Sequence, residues 1–427
     1  MARHILILGG GAAGIAAAVA AAETAPAGTR VTLLERNARV GKKLLATGNG
    51  RCNLSNAHRD AGWYFSADRK ALAACLAAVE QADPLGWFAA HGLWCREPDE
   101  AGRIYPYSNQ AADVLNLLLD WLERTGVEVR TDCAVQELRQ QREGYTVRLA
   151  GGESLRADAV ICALGGSAGP QFGTDGFGPE LARQCGLRTE PLYPCLVPLQ
   201  CEKKQVQGLA GIRVKGDATL LADGRPLRTE RGEVQFTEYG LSGIAVMQLS
   251  GLLRPGGKPV ERQISLNLFP GEETDALAAR LAARAKALPG VTAAGYTTGL
   301  VNRRVGLAVW KACGLGADTR PAAELRGEDW LRLARGLTDW RFTGLQPVGW
   351  NQAQTTGGGI ALSEVEPESF GLRGCPGLYF VGETLDCAGS CGGYNLHWAF
   401  GTGLLAGRHA AQGQPPQRAK PRTGRKK

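Results

Sequence analysis

The chain has 427 residues, of which 44% are hydrophobic and 21% charged, and its formal net charge is +8. That is room for two or three domains with a large core, in the composition range of soluble globular proteins, and no apolar run approaches the roughly 20 residues of a membrane-spanning helix. Twelve Cys without a CxxC pair and five His without H-E-x-x-H argue against a zinc ribbon, a thioredoxin-like redox pair or a His-rich metal site, so no metal is expected.

The first element is a strand over Ile5 to Leu8, running into Gly9, Gly10, Gly11, Ala12, Ala13 and Gly14. An Ala-rich helix, Ala12 to Glu23, follows, and a second strand, Arg30 to Leu34, stops at Glu35. The glycines fit G-x-G-x-x-G as Gly9, Gly11 and Gly14. Gly9 permits the sharp turn, Gly11 lets a pyrophosphate approach the backbone, and Gly14 lets helix and strand pack closely. The helix N-terminus offers N–H groups and a positive dipole end to phosphates. Glu35 can accept hydrogen bonds from a ribose 2′-OH and would repel a 2′-phosphate. Because this apolar run passes straight into glycines, it reads as a core strand, not a signal peptide. Reduced thiols in a cytoplasm are then expected.

A Gly- and Asn-rich loop, Arg36 to Asn56, comes next, with Lys42, Lys43 and Arg51 interspersed. A loop this long inside a domain is usually functional, and its position puts it beside the same cofactor. Asp68 to His91 predicts one or two helices broken near Pro84, and Ala111 to Thr125 another helix. Val127 to Arg130 is a short strand. Ala134 to Leu138, Tyr145 to Leu149 and Ser154 to Arg156 suggest an antiparallel meander. Ala157 to Gly166 is a buried strand leaving through a Gly pair, an exit that resembles the one in two-dinucleotide flavoproteins, where the chain passes back over the cofactor.

Leu187 to Ile264 looks like a separate β domain, with one helix over Gly243 to Leu252. Asp275 to Leu288, Ala294 to Lys311 and Asp329 to Gly336 are expected to be helical. Leu378 to Val381 is a strand running into Gly382, Glu383 and a Gly-rich loop, followed by a helix over Tyr394 to Ala411. An acid there suits ribityl hydroxyls, and a helix N-terminus aimed at the pyrimidine end of a flavin would stabilise the reduced ring. No second G-x-G-x-x-G marks a dedicated nicotinamide domain. The tail, residues 412–427, holds Arg418, Lys420, Arg422, Arg425, Lys426 and Lys427 and no acid, which leaves about +2 for the rest. It is expected to be disordered and solvated, with nucleic acid and membrane not favoured as partners.

Taken together, the segments resemble the BaiN/RdsA-type, YhiN-like (aminoacetone-oxidase-like) NAD(P)/FAD-dependent oxidoreductases. The resemblance rests on ILGGGAAG at 7–14, GKKLLATGNGRCNLSN at 41–56, GRIYPYSNQA at 102–111, ALGG at 163–166, FTEYGLSG at 236–243, QTTGGGI at 354–360 and GLYFVGETLDCAGSCGGYNLHWAFGTGLLAG at 377–407. It implies an α/β fold: a split Rossmann-like FAD-binding domain (1–190 and 345–411), a β-barrel-like insert (191–267 and 337–344) and a small helical insert (268–336).

The resemblance also implies site residues. Gly9, Gly11, Ala12, Ala13 and Gly14 would hold the pyrophosphate, and Glu35 with Arg36 the adenosine ribose. Gly41, Lys42, Lys43, Thr47, Gly48, Gly50, Arg51, Cys52 and Asn53 would surround the phosphates and ribityl chain. Ala134 or Val135 would meet the adenine, and Ala163, Leu164 and Gly165 the returning face of the cofactor. Gly382 and Glu383 would meet the ribityl chain, and Gly393, Tyr394 and Asn395 the isoalloxazine. The sequence departs from many relatives in carrying Cys387 for an aspartate and Glu238 for a histidine, so the substrate is not copied across. Cys387 and Cys391 read as two buried thiols in preference to a redox pair.

The activity implied is hydride transfer through flavin N5. The favoured form reduces an activated C=C bond in a steroid- or bile-acid-like small molecule, with NADH or NADPH as transient donor. An O2-using amine oxidase and an RNA-interacting flavoprotein are the alternatives. Tyr239, Tyr394, Glu238 and His397 are candidate proton donors, among which the sequence does not choose.

Overall fold

The computed structural model describes residues 3–256, 260–316 and 319–413. Residues 414–427, most of the expected basic tail, lie outside the described residues. The chain divides into two units, residues 1–195 with 353–427, and residues 196–352.

The first unit is built on a five-stranded parallel sheet. Its strands are β1 (His4–Leu8), β2 (Arg30–Leu34), β3 (Glu128–Arg130), β4 (Ala159–Cys162) and β5 (Leu378–Phe380), in the spatial order β5-β4-β1-β2-β3. Register is set by Ile5 opposite Ala159 and Val31, Thr32 opposite Glu128, and Val160 opposite Leu378. β1, β4 and β5 are buried throughout, as a sheet covered on both faces requires. The chain runs outward from β1 through β2 to β3, then returns to the other side of β1 as β4. The strand order therefore reverses between β1 and β4, and a crevice opens beyond their C-terminal ends.

Helix α1 (Ala12–Thr24) joins β1 to β2. Its alanines are explained by helix α3 (Tyr394–Gln412), which lies against it; helix α2 (Arg69–Ala82) precedes α3 in the chain. A Cβ at Gly403 or Gly407 would overlap the backbone carbonyls of Ala13 and Ala17, so the two helices touch backbone to backbone. Side chains larger than Ala at the crossing would push them apart. At the other end of α3, Arg3 Nη2 donates to the Ala410 carbonyl at 2.6 Å and Arg3 Nη1 to that of Ala411 at 3.1 Å. A cation thereby meets the helix's last carbonyls.

The expected break near Pro84 is present. Asp83 ends α2 and caps the helix Pro84–Ala90 through Gly86 N–H at 3.0 Å. The meander is Val135–Gln140, Tyr145–Leu149 and Ser154–Ala157. Strands Thr189–Cys195 and Thr355–Ile360 pair antiparallel, so the chain leaves this unit and re-enters it at neighbouring points.

The second unit holds a seven-stranded antiparallel sheet. Its order is Trp340–Phe342, Arg262–Asn267, Arg213–Ala222, Arg225–Phe236, Gly240–Ser242, Leu199–Gln200 and Gln346–Pro347. Helices Thr274–Ala287, Arg303–Ala312 and Gly327–Thr338 share one apolar core with it, in which Leu220, Val234 and Phe236 join Leu281, Trp310 and Leu337. The single helix expected over Ala294 to Lys311 is interrupted. It stops at Tyr296, and Asn302 starts a new helix by accepting from Arg304 N–H at 3.0 Å. Asn is a strong N-cap, and here it overrides the helical spacing. Among the described residues no helix is long and apolar enough to cross a membrane.

Candidate active site

The crevice begins where β1 ends. Gly9 N–H donates to Leu34 O at 2.8 Å, tying the turn to β2. Its φ is +104°, and a Cβ would overlap the Ala163 carbonyl at the end of β4. Gly14 is required by proximity, since its Cβ would overlap the Gly9 carbonyl. Gly11 is different. It caps α1 without a side-chain hydrogen bond, and a Cβ there would meet nothing within 4 Å. The first turn of α1, with Ala12 and Ala13, carries no acid. Its N–H end is therefore suited to an anion.

Glu35, 8% exposed, follows β2. Its Oε2 accepts from Gly10 N–H at 2.8 Å, and its Oε1 from Asn37 N–H at 2.8 Å and Asn37 Nδ2 at 2.6 Å. The carboxylate thus clasps the glycine turn. A carboxylate has about four acceptor positions, so one remains for a ligand hydroxyl.

The cleft has a volume of about 180 Å³ and is open to solvent. Of the residues singled out in sequence, it gathers Gly9, Gly11, Glu35, Arg36, Lys42, Lys43, Ala134, Val135, Ala163, Leu164, Gly165 and Glu383. Gly10 of the glycine turn lines it too, and it adds Leu34, Asn37, Cys133, Gly166, Phe172, Gly173, Thr174, Asp175 and Phe177. Most of these additions come from the loop after β4, where Arg36 pairs with Asp175 across the rim. The glycine density of GGSAGPQFGTDGFG was the available signal.

Glu383 joins three chain segments. Its Oε2 accepts from Lys43 Nζ at 2.8 Å, and its Oε1 from Thr356 N–H at 3.0 Å and Thr356 Oγ1 at 2.7 Å. Lys43 also donates to the Ala168 carbonyl at 3.0 Å, and Thr356 Oγ1 accepts from the N–H groups of Ser167 and Ala168. Thr356 escaped the sequence reading because nothing local marks its partner.

The remaining candidates do not line this cleft. Gly382 begins the turn after β5, and its N–H donates to Thr402 Oγ1 at 2.9 Å. Gly41 packs under Leu115, with which a Cβ would collide. Thr47, Gly48, Gly50, Arg51, Cys52 and Asn53 form a tight turn beside the start of α3. Thr47 Oγ1 donates to Leu44 O at 2.7 Å, and Arg51 Nε to Gly48 O at 3.1 Å, with the guanidinium over the Tyr105 ring. Burial pushes the Cys52 thiol up to about 12, so it is inert as a nucleophile. With its amide oriented to donate to Ile104 O and Ser55 O, Asn53 accepts from Gly393 N–H at 3.2 Å.

At the start of α3, Tyr394 is buried and stacked on Trp63, with centroids 5.6 Å apart. Asn395 Oδ1 accepts from Gly389 N–H at 2.8 Å and from Thr355 Oγ1 at 3.3 Å, while its Nδ2 donates to Gly389 O at 2.9 Å. Both side chains are engaged within the protein. Thr355 and Thr356, adjacent in sequence, link this cluster to the Glu383 node.

Of the candidate proton donors, Tyr239 and Glu238 belong to the second unit. There Tyr239 O–H donates to Gln352 Oε1 at 3.0 Å, and Glu238 is exposed. His397 is buried in the first unit. Cys387 is buried and its thiol is raised well above the usual range by burial; no disulfide joins it to Cys391, which is only half-buried, against the expectation of two buried thiols.

A family model described as HI0933-like protein Rossmann domain matches residues 3–409. The chain is 37% identical over 412 residues to the 3-dehydro-bile acid delta(4,6)-reductase of Clostridium scindens, covering 96% of this chain and 99% of that protein. It is 30% identical over 400 residues to the ribosomal RNA dihydrouridine synthase of Escherichia coli, covering 92% and 94%. Among solved structures, a 3-ketosteroid-delta4-(5alpha)-dehydrogenase from Rhodococcus jostii RHA1 aligns with a TM-score of 0.47 at 16% identity, over 96% of this chain and 97% of that one.

Proposed function

The chain belongs to the HI0933-like Rossmann-domain family, and we propose that this FAD-dependent oxidoreductase reduces an activated C=C bond in a steroid- or bile-acid-like substrate, with electrons from NADH or NADPH. The observation that carries the substrate class is the 37% identity, end to end, to the bile-acid reductase. A cytoplasmic location fits twelve cysteines none of which is in a disulfide.

The residues of the crevice fit FAD. Gly9 and Gly14 bring β1, β4 and α1 into contact, and the open face of Gly11 leaves room for a pyrophosphate at the α1 N-terminus. Glu35 retains an acceptor position for a ribose hydroxyl, and Lys43 supplies a cation at the cleft wall. The flavin, when bound, supplies hydride transfer. The chain's own residues would hold the dinucleotide and orient it through the Glu383 node.

Glu383→Ala is expected to weaken FAD binding by about 1–3 kcal/mol, because Lys43 and Thr356 lose their common acceptor and the three segments it joins separate. Glu383→Gln should recover part of that loss, since its amide oxygen still accepts from Thr356. Fluorescence titration of the apoprotein with FAD measures both, and unchanged affinity in Glu383→Ala would remove this residue from the site.

A second reading, reduction of a uracil ring within RNA, is favoured by the 30% identity to the ribosomal RNA enzyme. It is also favoured by the charge of residues 196–352, which hold 21 Lys and Arg against 15 Asp and Glu. One experiment separates the two. The purified protein is expected to be yellow and to release FAD on heating. Under anaerobic conditions with NADH or NADPH it should add two hydrogens to a 4-en-3-one or 4,6-dien-3-one steroid, detected by mass spectrometry. Turnover of ribosomal RNA with no steroid product would transfer the assignment to the second reading. Release of no FAD would overturn the cofactor.

A further inference from the structure

The loop that follows β4 crosses the cleft from one side to the other. In the sheet β1 lies between β4 and β2, and the glycine turn leaves its C-terminal end. Neighbouring strands are about 4.8 Å apart, so the ends of β4 and β2 stand roughly 10 Å apart on either side of that turn. The loop starts on the β4 side and meets Arg36 and Asn37, which follow β2 and Glu35. Arg36 Nη1 donates to Asp175 Oδ2, and Asn37 Nδ2 donates to the Phe172 carbonyl at 3.4 Å. A Cβ at Gly173 would overlap the Asn37 amide, so the tip of the loop rests on that side chain. Gly9, Gly10 and Gly11 line the same cleft as Phe172, Gly173, Thr174 and Asp175. A ligand that reaches the glycine turn therefore passes this loop.

The base of the loop is fixed. Ser167 and Ala168 donate their N–H groups to Thr356 Oγ1 at 2.8 and 3.0 Å, and Lys43 Nζ donates to the Ala168 carbonyl at 3.0 Å. On the return side, Gly176 N–H donates to the Gly166 carbonyl at 3.0 Å, and Thr174 Oγ1 donates to the same oxygen. The helix Phe177–Gln184 begins there, with Phe177 N–H donating to Asp175 Oδ1 at 3.1 Å.

The tip is held in another way. The Arg36 and Asp175 side chains are 44% and 51% exposed, and the bond from Asn37 is long. An exposed ion pair is weak and screened by salt. A loop with a fixed base and a weakly held tip is built to swing, with the motion absorbed at a few residues near its ends. Both partners of the ion pair belong to the chain itself. The pair can therefore form whether the cleft is empty or filled.

Resting on the FAD reading above, we propose that residues 169–175 are a strap, latched by Arg36 and Asp175, that opens to admit FAD to the cleft and to release it. No covalent bond changes. Because the latch joins two parts of the protein, it slows entry and exit alike and leaves the affinity for FAD nearly unchanged. Arg36, which the family resemblance gives to the adenosine ribose, acts here through the strap as a positioning residue.

The test measures both rates. Association of FAD with the apoprotein is followed by stopped-flow fluorescence. Dissociation is followed by chasing radiolabelled FAD from the holoenzyme with unlabelled FAD. Arg36→Gln and Asp175→Asn are each expected to speed both rates by about twofold to fivefold, the factor an exposed ion pair is worth. The double variant Arg36→Asp with Asp175→Arg, which rebuilds the pair in reverse, should return both rates toward wild type.

The single variants separate the strap from simple attraction. FAD is an anion, so attraction alone would make association slower in Arg36→Gln and faster in Asp175→Asn. The strap requires the same direction in both. A direct contact from Arg36 to the ribose would speed dissociation in Arg36→Gln and leave Asp175→Asn at wild-type rates. Either of these patterns, or wild-type rates in both variants, overturns the proposal. An apoprotein that binds no FAD at all overturns the FAD reading and the strap with it, which is distinct from FAD binding at rates that ignore the latch.

Discussion

Gly14→Val is expected to purify without FAD and to be destabilised by about 3 kcal/mol or more, whereas Gly11→Val should lose FAD and keep its thermal stability within about 0.5 kcal/mol. The two glycines belong to one motif but face different neighbours. A Cβ at Gly14 would overlap the Gly9 carbonyl, and Ala163 stands 3.3 Å away, so β1, β4 and α1 must all shift to admit a side chain. Backbone atoms cannot turn aside as a flexible side chain can. At Gly11 a Cβ meets nothing within 4 Å, and the backbone, at φ −84° and ψ −172°, suits any residue. A valine there costs the protein little and occupies the approach to the α1 N-terminus. Thermal melts with FAD stoichiometry from absorbance check both. A Gly11→Val protein that retains stoichiometric FAD would show that this glycine is only a turn residue.

Gly393→Ala is expected to cost about 3 kcal/mol and to lower the reduction potential of whatever FAD remains bound. Gly393 sits at φ +100°, where an L-residue costs about 1–3 kcal/mol, and its Cβ would overlap the Ser55 carbonyl. Relief requires the turn to move away from the strand Ser55–Asn56. That redirects the first N–H groups of α3 and removes their field from the site. Denaturant melts give the stability, and spectroelectrochemical titration gives the potential. Wild-type values in both would mean that the start of α3 is not held in place by this glycine.

Several elements were legible in sequence because their causes are local. α1 runs Ala12–Thr24 as its alanines and glycine entry dictate, and Tyr145–Leu149 alternates more and less buried positions as a strand with one covered face should. The interruption after Tyr296 was missed because apolar spacing spoke for a continuous helix. The first helix stops at Tyr296, and Asn302, a one-residue signal, caps the start of the second.

The sequence by itself determined that the protein has a dinucleotide-type strand, turn, helix and acid at its start and a second strand, Gly-rich loop and helix near its end. Those follow from glycine spacing, helical periodicity and the acid at the end of β2, all settled within a few residues of chain. Tertiary structure alone decided which polar groups meet. Lys43 and Glu383 are 340 residues apart, and His397 and Glu80 are 317 apart. Glu35, read as a ribose acceptor, spends most of its hydrogen-bonding capacity on Gly10 and Asn37. Tyr394 and Asn395 turn into Trp63 and Gly389. The reason is physical: a side chain's local conformation depends on its neighbours in sequence, but a buried charge or amide must be satisfied by whatever the packing of distant segments brings within about 3 Å.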